Sequence, residues 1–140
     1  MAGICFHFNP DLNIREYWSY VFENFNIKEL YEVQRPKDID SNYYNPIVLN
    51  SYDELPKERS LVILAHKDAK YLKGKISLSD YNHPQNPVYV FGGDNSNLYP
   101  ELFEKHKYDV VYIPPSLIEM YSFQAGAITM YDRESKLKNG

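Results

Sequence analysis

Four short runs of this chain are apolar at almost every position: "GICFHF", "SLVILAH", "VYVF" and "DVVYI". A strand that meets a core on one face alternates apolar and polar side chains, whereas a strand covered on both faces does not. The runs therefore predict buried central strands. Their predicted bounds are Ile4 to Phe8, Ser60 to His66, Val88 to Phe91 and the "DVVYI" stretch, with further strands at "IKELYEV" and Ile47 to Leu49.

The segments between these runs favour helices. In "LNIREYWSYVFENFN" the apolar residues recur every three or four positions, which predicts one apolar helix face with Asn13 as the N-cap. "EMYSFQAGAITMYDRESKLK" predicts a closing helix that finishes in charged residues, and "NLYPELFEKH" predicts a short helix with Pro100 in its first turn. Buried strands that alternate with helices define an α/β fold, a mostly parallel sheet with helices on both faces. We expect a single domain over residues 1–140.

The formal net charge of −4 argues against a protein held to nucleic acid by its overall field. A local patch remains in "HKDAKYLKGK", where Lys67, Lys70, Lys73 and Lys75 form either a solvated loop or an RNA contact. The sequence has no run of about 18 apolar residues and no signal-like segment, so a soluble, cytoplasmic protein is expected. The single cysteine, Cys5, cannot form an internal disulfide.

The strand "PVYVF" runs directly into Gly92, Gly93 and Asp94. Ligands of parallel sheets bind beyond the carboxyl ends of the strands, so two glycines here fit a close approach of a ligand to the main chain. A purely conformational turn, with Asp94 capping a following helix, explains the same residues. The sequence contains no Gly-x-Gly-x-x-Gly, phosphate loop or Gly-x-Ser-x-Gly motif, and its four histidines lack metal-ligand spacing, so no metal is expected.

Taken in order, "VYVFGGD", "VVYIPPS" and "MYSFQAGAITMYD" resemble the SpoU-type members of the SPOUT superfamily. These are knotted, S-adenosylmethionine-dependent RNA ribose methyltransferases. The opening, "GICFHFNPDLNIREYWSYVFENFNIKELYEV", is similar to the first strand, helix and strand of that family. The resemblance covers most of the chain and leaves residues 34–58 unmatched.

The resemblance implies a carboxyl-terminal trefoil knot and three backbone loops that hold S-adenosylmethionine. The implied cofactor-binding residues are Phe91, Gly92, Gly93, Asp94, Ile113, Pro115, Met120, Phe123 and Ala125. It also implies a homodimer that builds its active site across the interface and acts on tRNA or another structured RNA. The implied RNA contacts are Lys67, Lys70, Lys73 and Lys75.

The implied reaction, ribose 2'-O-methylation, needs a group that helps to remove the hydroxyl proton. The arginine that the family carries on its first helix falls near Tyr20, so Arg15 is the catalytic candidate, joined by Asn13 after a one-residue shift. The Ser-x-Asn pair of the family aligns with Glu119 and Tyr121. These departures keep open a knotted S-adenosylmethionine- or RNA-binding protein without transferase activity. A third hypothesis is an unrelated doubly wound protein that binds a nucleotide or serves as an interaction module.

Overall fold

The computed structural model describes residues 1–39, 43–93, 98–114 and 120–139. Within these residues the chain forms one seven-stranded sheet in which all pairs are parallel. The strands are β1 (Gly3–His7), β2 (Glu29–Val33), β3 (Ile47–Leu49), β4 (Ser60–Leu64), β5 (Ile76–Ser77), β6 (Pro87–Val90) and β7 (Tyr108–Tyr112), in the spatial order β3-β2-β1-β6-β4-β7-β5. The α-helices are α1 (Leu12–Asn24) and α2 (Ser122–Asn139). The predicted α/β class and parallel sheet are confirmed.

Each face of the sheet carries its own apolar layer. Both α-helices pack on one face, and the 3-10 helices at Tyr52–Glu54 and Pro100–Phe103 pack on the other. Along β4, Val62 belongs to the first layer, whereas Leu61 and Ile63 belong to the second. This is the period-two alternation of a strand buried on both sides. The predicted cover of helices on both faces is therefore confirmed.

Three local features differ from expectation. Asp11, and not Asn13, is the N-cap of α1, because its carboxylate accepts a hydrogen bond from the Asn13 amide at 2.9 Å. A negative charge at a helix N-terminus is favoured by the helix dipole, which adds to the hydrogen bond. In "NLYPELFEKH", the described residues form only the 3-10 helix Pro100–Phe103. Strand β5 was not predicted, since two residues show no periodicity.

A buried hydrogen-bond chain fastens α2 to the segment before β6. The Arg133 guanidinium donates to the Tyr89 hydroxyl (3.0 Å), which donates to Nδ1 of His83 (2.6 Å). Nε2 of His83 donates to the Asp132 carboxylate (2.7 Å), which also accepts from Nζ of Lys136 (2.9 Å). Burial raises the pKa of Tyr89 to about 12, so its hydroxyl stays protonated. Every donor in this series of hydrogen bonds meets an acceptor when His83 is neutral with its proton on Nε2.

Acidification should weaken the fold through His83. Burial lowers the pKa of this imidazole and outweighs the attraction of Asp132, while Lys136 and Arg133 add repulsion. An unfolded histidine titrates at about 6.5, so on acidification the unfolded state takes up this proton before the folded state does. The stability that neutral His83 contributes above about pH 7 is therefore lost as the pH falls through about 6.5 and below. Urea denaturation from pH 8 to pH 5 should show this loss, and His83→Gln, which cannot titrate, should show less of it. Equal pH dependence in both proteins would contradict the assignment.

Candidate functional site

A cavity of about 420 Å³ opens at the carboxyl ends of three neighbouring strands, β6, β4 and β7. Its walls come from the segments that follow these strands and from the start of α2. They comprise residues 64–72 and 91–93 with Leu98, Ile113, Met120, Ser122 and Ala125. This edge of a parallel sheet is where ligands bind, because the loops that leave adjacent strands diverge there.

Six of the nine residues predicted to hold a cofactor line this one cavity: Phe91, Gly92, Gly93, Ile113, Met120 and Ala125. They come from three segments that are distant along the chain. Phe123 lies elsewhere, with its ring against those of Tyr17 (5.1 Å between centroids) and Tyr121 (5.8 Å). Asp94 and Pro115 lie outside the described residues. Cofactor binding by these residues stays a prediction.

Hydrogen bonds from three sides hold the glycine turn in place. The Phe91 amide donates to the Cys5 carbonyl (2.9 Å), and the Tyr52 hydroxyl donates to the Phe91 carbonyl (3.1 Å). Ser122, the first residue of α2, donates through Oγ to the Gly92 carbonyl (2.6 Å). These hydrogen bonds fix the main chain of this cavity wall to β1, to the second apolar layer and to α2 independently of any ligand.

The lysine-rich segment forms another wall of the same cavity, which the sequence reasoning did not predict. Lys67, Lys70 and Tyr71 line it, whereas Lys73 is exposed outside it. Nζ of Lys75 donates to main-chain carbonyls within the segment. One signal was available, because the segment directly follows a predicted buried strand and so begins at the edge where ligands bind.

His66 is a second residue of this wall that the sequence reasoning missed. The Asp68 amide donates to its Nδ1 (3.2 Å), so the neutral ring carries its proton on Nε2. Nε2 is buried and has no hydrogen-bond partner in the described part of the chain. A buried N–H without an acceptor is rare and destabilising. His66 therefore combines a position in the cavity wall with a buried donor for which the described residues supply no acceptor.

The two candidate catalytic residues lie on α1, away from the cavity wall. Asn13 is exposed in the first turn. Arg15 is buried, with its guanidinium carbon 5.2 Å from the centroid of the Phe8 ring. Its Nε finds no hydrogen-bond partner among the residues described. Within one chain, the structure does not bring Arg15 or Asn13 into the cavity.

A buried carboxyl group accompanies Arg15. Glu32 on β2 is fully buried and accepts from the Tyr44 hydroxyl (2.7 Å) and from Arg35 (3.3 Å). Burial raises the pKa of Glu32, while the charges of Arg35 and Arg15 oppose that shift. In its ionised form, Glu32 partly compensates the buried charge of Arg15. No pattern in the sequence distinguished Glu32 from a surface glutamate.

The described residues contain no group of three or more His, Cys, Asp and Glu side chains placed to hold a metal ion. Neither α-helix in the described ranges combines the length and apolar character needed to cross a membrane.

No protein-family model matches the sequence, and no curated protein matches it. Several solved structures are similar to this one in fold. A probable methylase family protein from Haemophilus influenzae Rd KW20 matches with a TM-score of 0.72 at 18% identity, over 99% of this chain and 67% of the other. A protein studied for the 2-OH methylation of C/U34 on tRNA gives 0.75 at 12% identity, over 100% and 98%. The SpoU methyltransferase AviRb from Streptomyces viridochromogenes, solved with AdoMet, gives 0.75 at 12% identity, over 99% and 61%.

Agreement over nearly the whole chain at such low identity shows a shared architecture. The chain has the fold of the SpoU-type RNA methyltransferases, as the three sequence motifs implied. The carboxyl-terminal knot stays a prediction, because residues 115–119, between β7 and α2, lie outside the described residues.

Proposed function

We propose that this protein is an S-adenosylmethionine-dependent RNA methyltransferase that modifies a ribose 2'-hydroxyl of tRNA or another structured RNA. The observation that carries the proposal is the convergence of 91–93, Ile113 and the start of α2 on one cavity at the strand ends of a SpoU-type fold. Structures with this fold include one solved with AdoMet and one of a protein studied for methylation on tRNA.

The cavity residues fit S-adenosylmethionine. A volume of about 420 Å³ lies within the range of small-molecule sites, roughly 300–1,000 Å³. Ile113 and Met120, both partly exposed, offer apolar surface to an adenine ring, and Gly92 lets a ligand meet the main chain. When bound, the cofactor supplies a methyl group on a positively charged sulfur, the electrophile that the reaction requires.

The side chains of this protein must position the ribose and compensate the charge left when its hydroxyl loses a proton. Arg15 is the proposed catalytic residue for this task, because its guanidinium is permanently charged. Since Arg15 does not line the cavity of its own chain, we place it in the active site of a partner protomer.

A homodimer would bury an exposed apolar face shared by α1 and α2. Tyr17 on α1 is 41% exposed, and Ile128 and Tyr131 on α2 are 41% and 68% exposed. The ring contact between Tyr17 and Phe123 joins the two helices into one surface. Exposed apolar patches of this kind are typical of protein interfaces.

Calorimetric titration with S-adenosylmethionine and S-adenosylhomocysteine tests the cofactor site. We expect saturable binding that is at least about ten-fold weaker in Gly92→Val, because a branched side chain fills the wall where only main chain lies. Ala125→Trp, which fills the cavity from α2, should weaken binding likewise. Glu134→Trp, exposed on the same helix, is the matched control and should bind normally. Thermal unfolding should show that all variants are folded. Unchanged affinity for S-adenosylmethionine in both Gly92→Val and Ala125→Trp would then contradict the assignment of the cofactor site.

A binding protein without transferase activity is the second candidate function. The observations that favour it are the position of Arg15 outside the cavity and the exposed Tyr121 where the family carries part of its Ser-x-Asn pair. Transfer of a labelled methyl group to total RNA separates the two candidates. Incorporation above the Gly92→Val background supports the enzyme, whereas saturable cofactor binding without incorporation supports the binding protein.

A further inference from the structure

We infer that an exposed tyrosine pair at the cavity binds the bases of a single-stranded RNA segment, and that neighbouring lysines hold its phosphates. The pair is Tyr71 and Tyr99, and the lysines are Lys67, Lys70 and Lys73. The inference rests on the proposed function and names the form of RNA that the site takes, unpaired nucleotides and not a duplex.

The two rings meet at the surface. Tyr71 is 57% exposed and Tyr99 is 41% exposed, and their ring centroids lie 5.0 Å apart. Tyr71 follows β4 and lines the cavity, whereas Tyr99 precedes the 3-10 helix Pro100–Phe103. The pair belongs to neither apolar layer of the core. Aromatic faces left open to water in this way are platforms on which a base can stack.

The segment that carries Tyr71 has a charge opposite to that of the whole chain. The whole chain carries −4, whereas residues 66–75 contain four lysines and a single acid, Asp68. Lys67 and Lys70 line the cavity beside Tyr71. Cationic groups interleaved with open aromatic rings suit a polyanion whose bases are accessible, which is single-stranded nucleic acid. A duplex hides its base faces, and an acidic peptide would leave the rings unused.

The loop that carries Tyr71 is held in shape by its own residues. Nζ of Lys75 donates to the carbonyls of Ala69 (2.6 Å) and Leu72 (2.9 Å). Gly74 adopts a φ of +71°, a conformation that favours glycine. The side chain of Leu72 is buried in the second layer and anchors the loop from below. Binding therefore orders little additional structure, and Lys75 acts as a positioning residue.

Fluorescence anisotropy without cofactor tests the inference, using a labelled single-stranded RNA of about 12 nucleotides and the duplex of the same sequence. We expect the single strand to bind at least about ten-fold tighter than the duplex at equal salt. Tyr71→Ala and Tyr99→Ala should each weaken single-strand binding about ten-fold at every salt concentration, because stacking releases no counterions. Tyr71→Phe keeps the ring and should bind normally.

The lysines predict a different signature. Removing Lys67, Lys70 and Lys73 together should flatten the dependence of log affinity on log salt by about 2, at ~0.7 per phosphate contact with a single strand. The control variant removes three lysines near the amino-terminal ends of the strands, at the opposite edge of the sheet. It should keep the native slope of log affinity against log salt. It is the triple alanine variant of Lys28, Lys105 and Lys107, all exposed.

Three results would each overturn the inference: equal affinity for single strand and duplex, unchanged binding in both tyrosine variants, or an equal change of slope in the control. RNA binding that meets the expectations, without methyl incorporation into any RNA, would overturn the proposed activity and support the inference. Methyl incorporation at subsaturating RNA that both tyrosine variants leave unchanged would support the activity and overturn the inference.

Discussion

Arg15→Ala should lower the rate of methyl transfer at least about 100-fold and leave the affinity for S-adenosylmethionine within about two-fold. A guanidinium is permanently charged and can stabilise a developing alkoxide. Arg15 is buried over Phe8 in this structure, so its side chain must become accessible before it acts on a substrate. It does not line the cofactor cavity, so cofactor affinity should not depend on it. Single-turnover transfer and calorimetry measure the two quantities separately.

Arg15→Lys is the conservative control. It keeps the charge but loses the planar donor fork, so it should retain more activity than alanine and less than the native protein. A parallel loss of cofactor affinity and rate in Arg15→Ala would instead place the guanidinium in the cofactor site. Native rates in Arg15→Ala would remove it from the mechanism.

Mixing two inactive variants tests whether the site is shared between protomers. Arg15→Ala protomers keep an intact cavity, and Gly92→Val protomers keep the arginine. Random exchange in a symmetric dimer should restore about a quarter of the sites if Arg15 acts in the partner's active site. No recovery after exchange that is verified by capture of differently tagged protomers would contradict the shared site.

The second large effect concerns the crossing of α1 and α2. Gly126→Ala should destabilise the fold by about 1–3 kcal/mol, although the same change on an open helix stabilises by about 1 kcal/mol through helix propensity. A Cβ on Gly126 would lie 2.7 Å from Cζ3 and 2.9 Å from Cη2 of Trp18. Steric overlap with the buried Trp18 ring costs more than the gain in helix propensity contributes, so the net change in the free energy of unfolding is a loss.

The Trp18 ring is buried and closely packed against three other aromatic rings. It is 1% exposed and lies with its centroid 5.0 Å from that of Phe6, 5.4 Å from Phe22 and 5.5 Å from Phe91. Because Phe91 is part of the cavity wall, a displaced Trp18 should also weaken cofactor binding.

A double-mutant cycle isolates this contact. Urea denaturation should show that Gly126→Ala is less destabilising in a Trp18→Phe background, since the smaller ring removes the overlapping atoms. A more stable Gly126→Ala protein, or an equal loss of stability in both backgrounds, would show that Trp18 is not the obstacle.

The elements that the sequence predicted are those whose signal lies in adjacent residues. "SLVILAH" predicted β4 because continuous apolar character is the property of a strand buried on both faces. The three- and four-residue spacing predicted α1 for the same kind of local reason. The N-cap was wrong because Asp11 and Asn13 are both good caps two positions apart, and only the backbone geometry at Asp11 chooses between them. The two residues of β5 are too few to show any period.

The sequence by itself determined that the chain builds a parallel α/β sheet and that a glycine turn leaves β6 at its carboxyl end, because strand burial and turn chemistry are written in neighbouring residues. Only the tertiary structure decided which segments share a cavity. The order β6-β4-β7 places the lysine segment after β4 between the glycine turn and Ile113, and it brings Tyr71 to Tyr99. Strand order depends on contacts between distant parts of the chain, and those contacts leave no periodicity in the sequence from which they could be predicted.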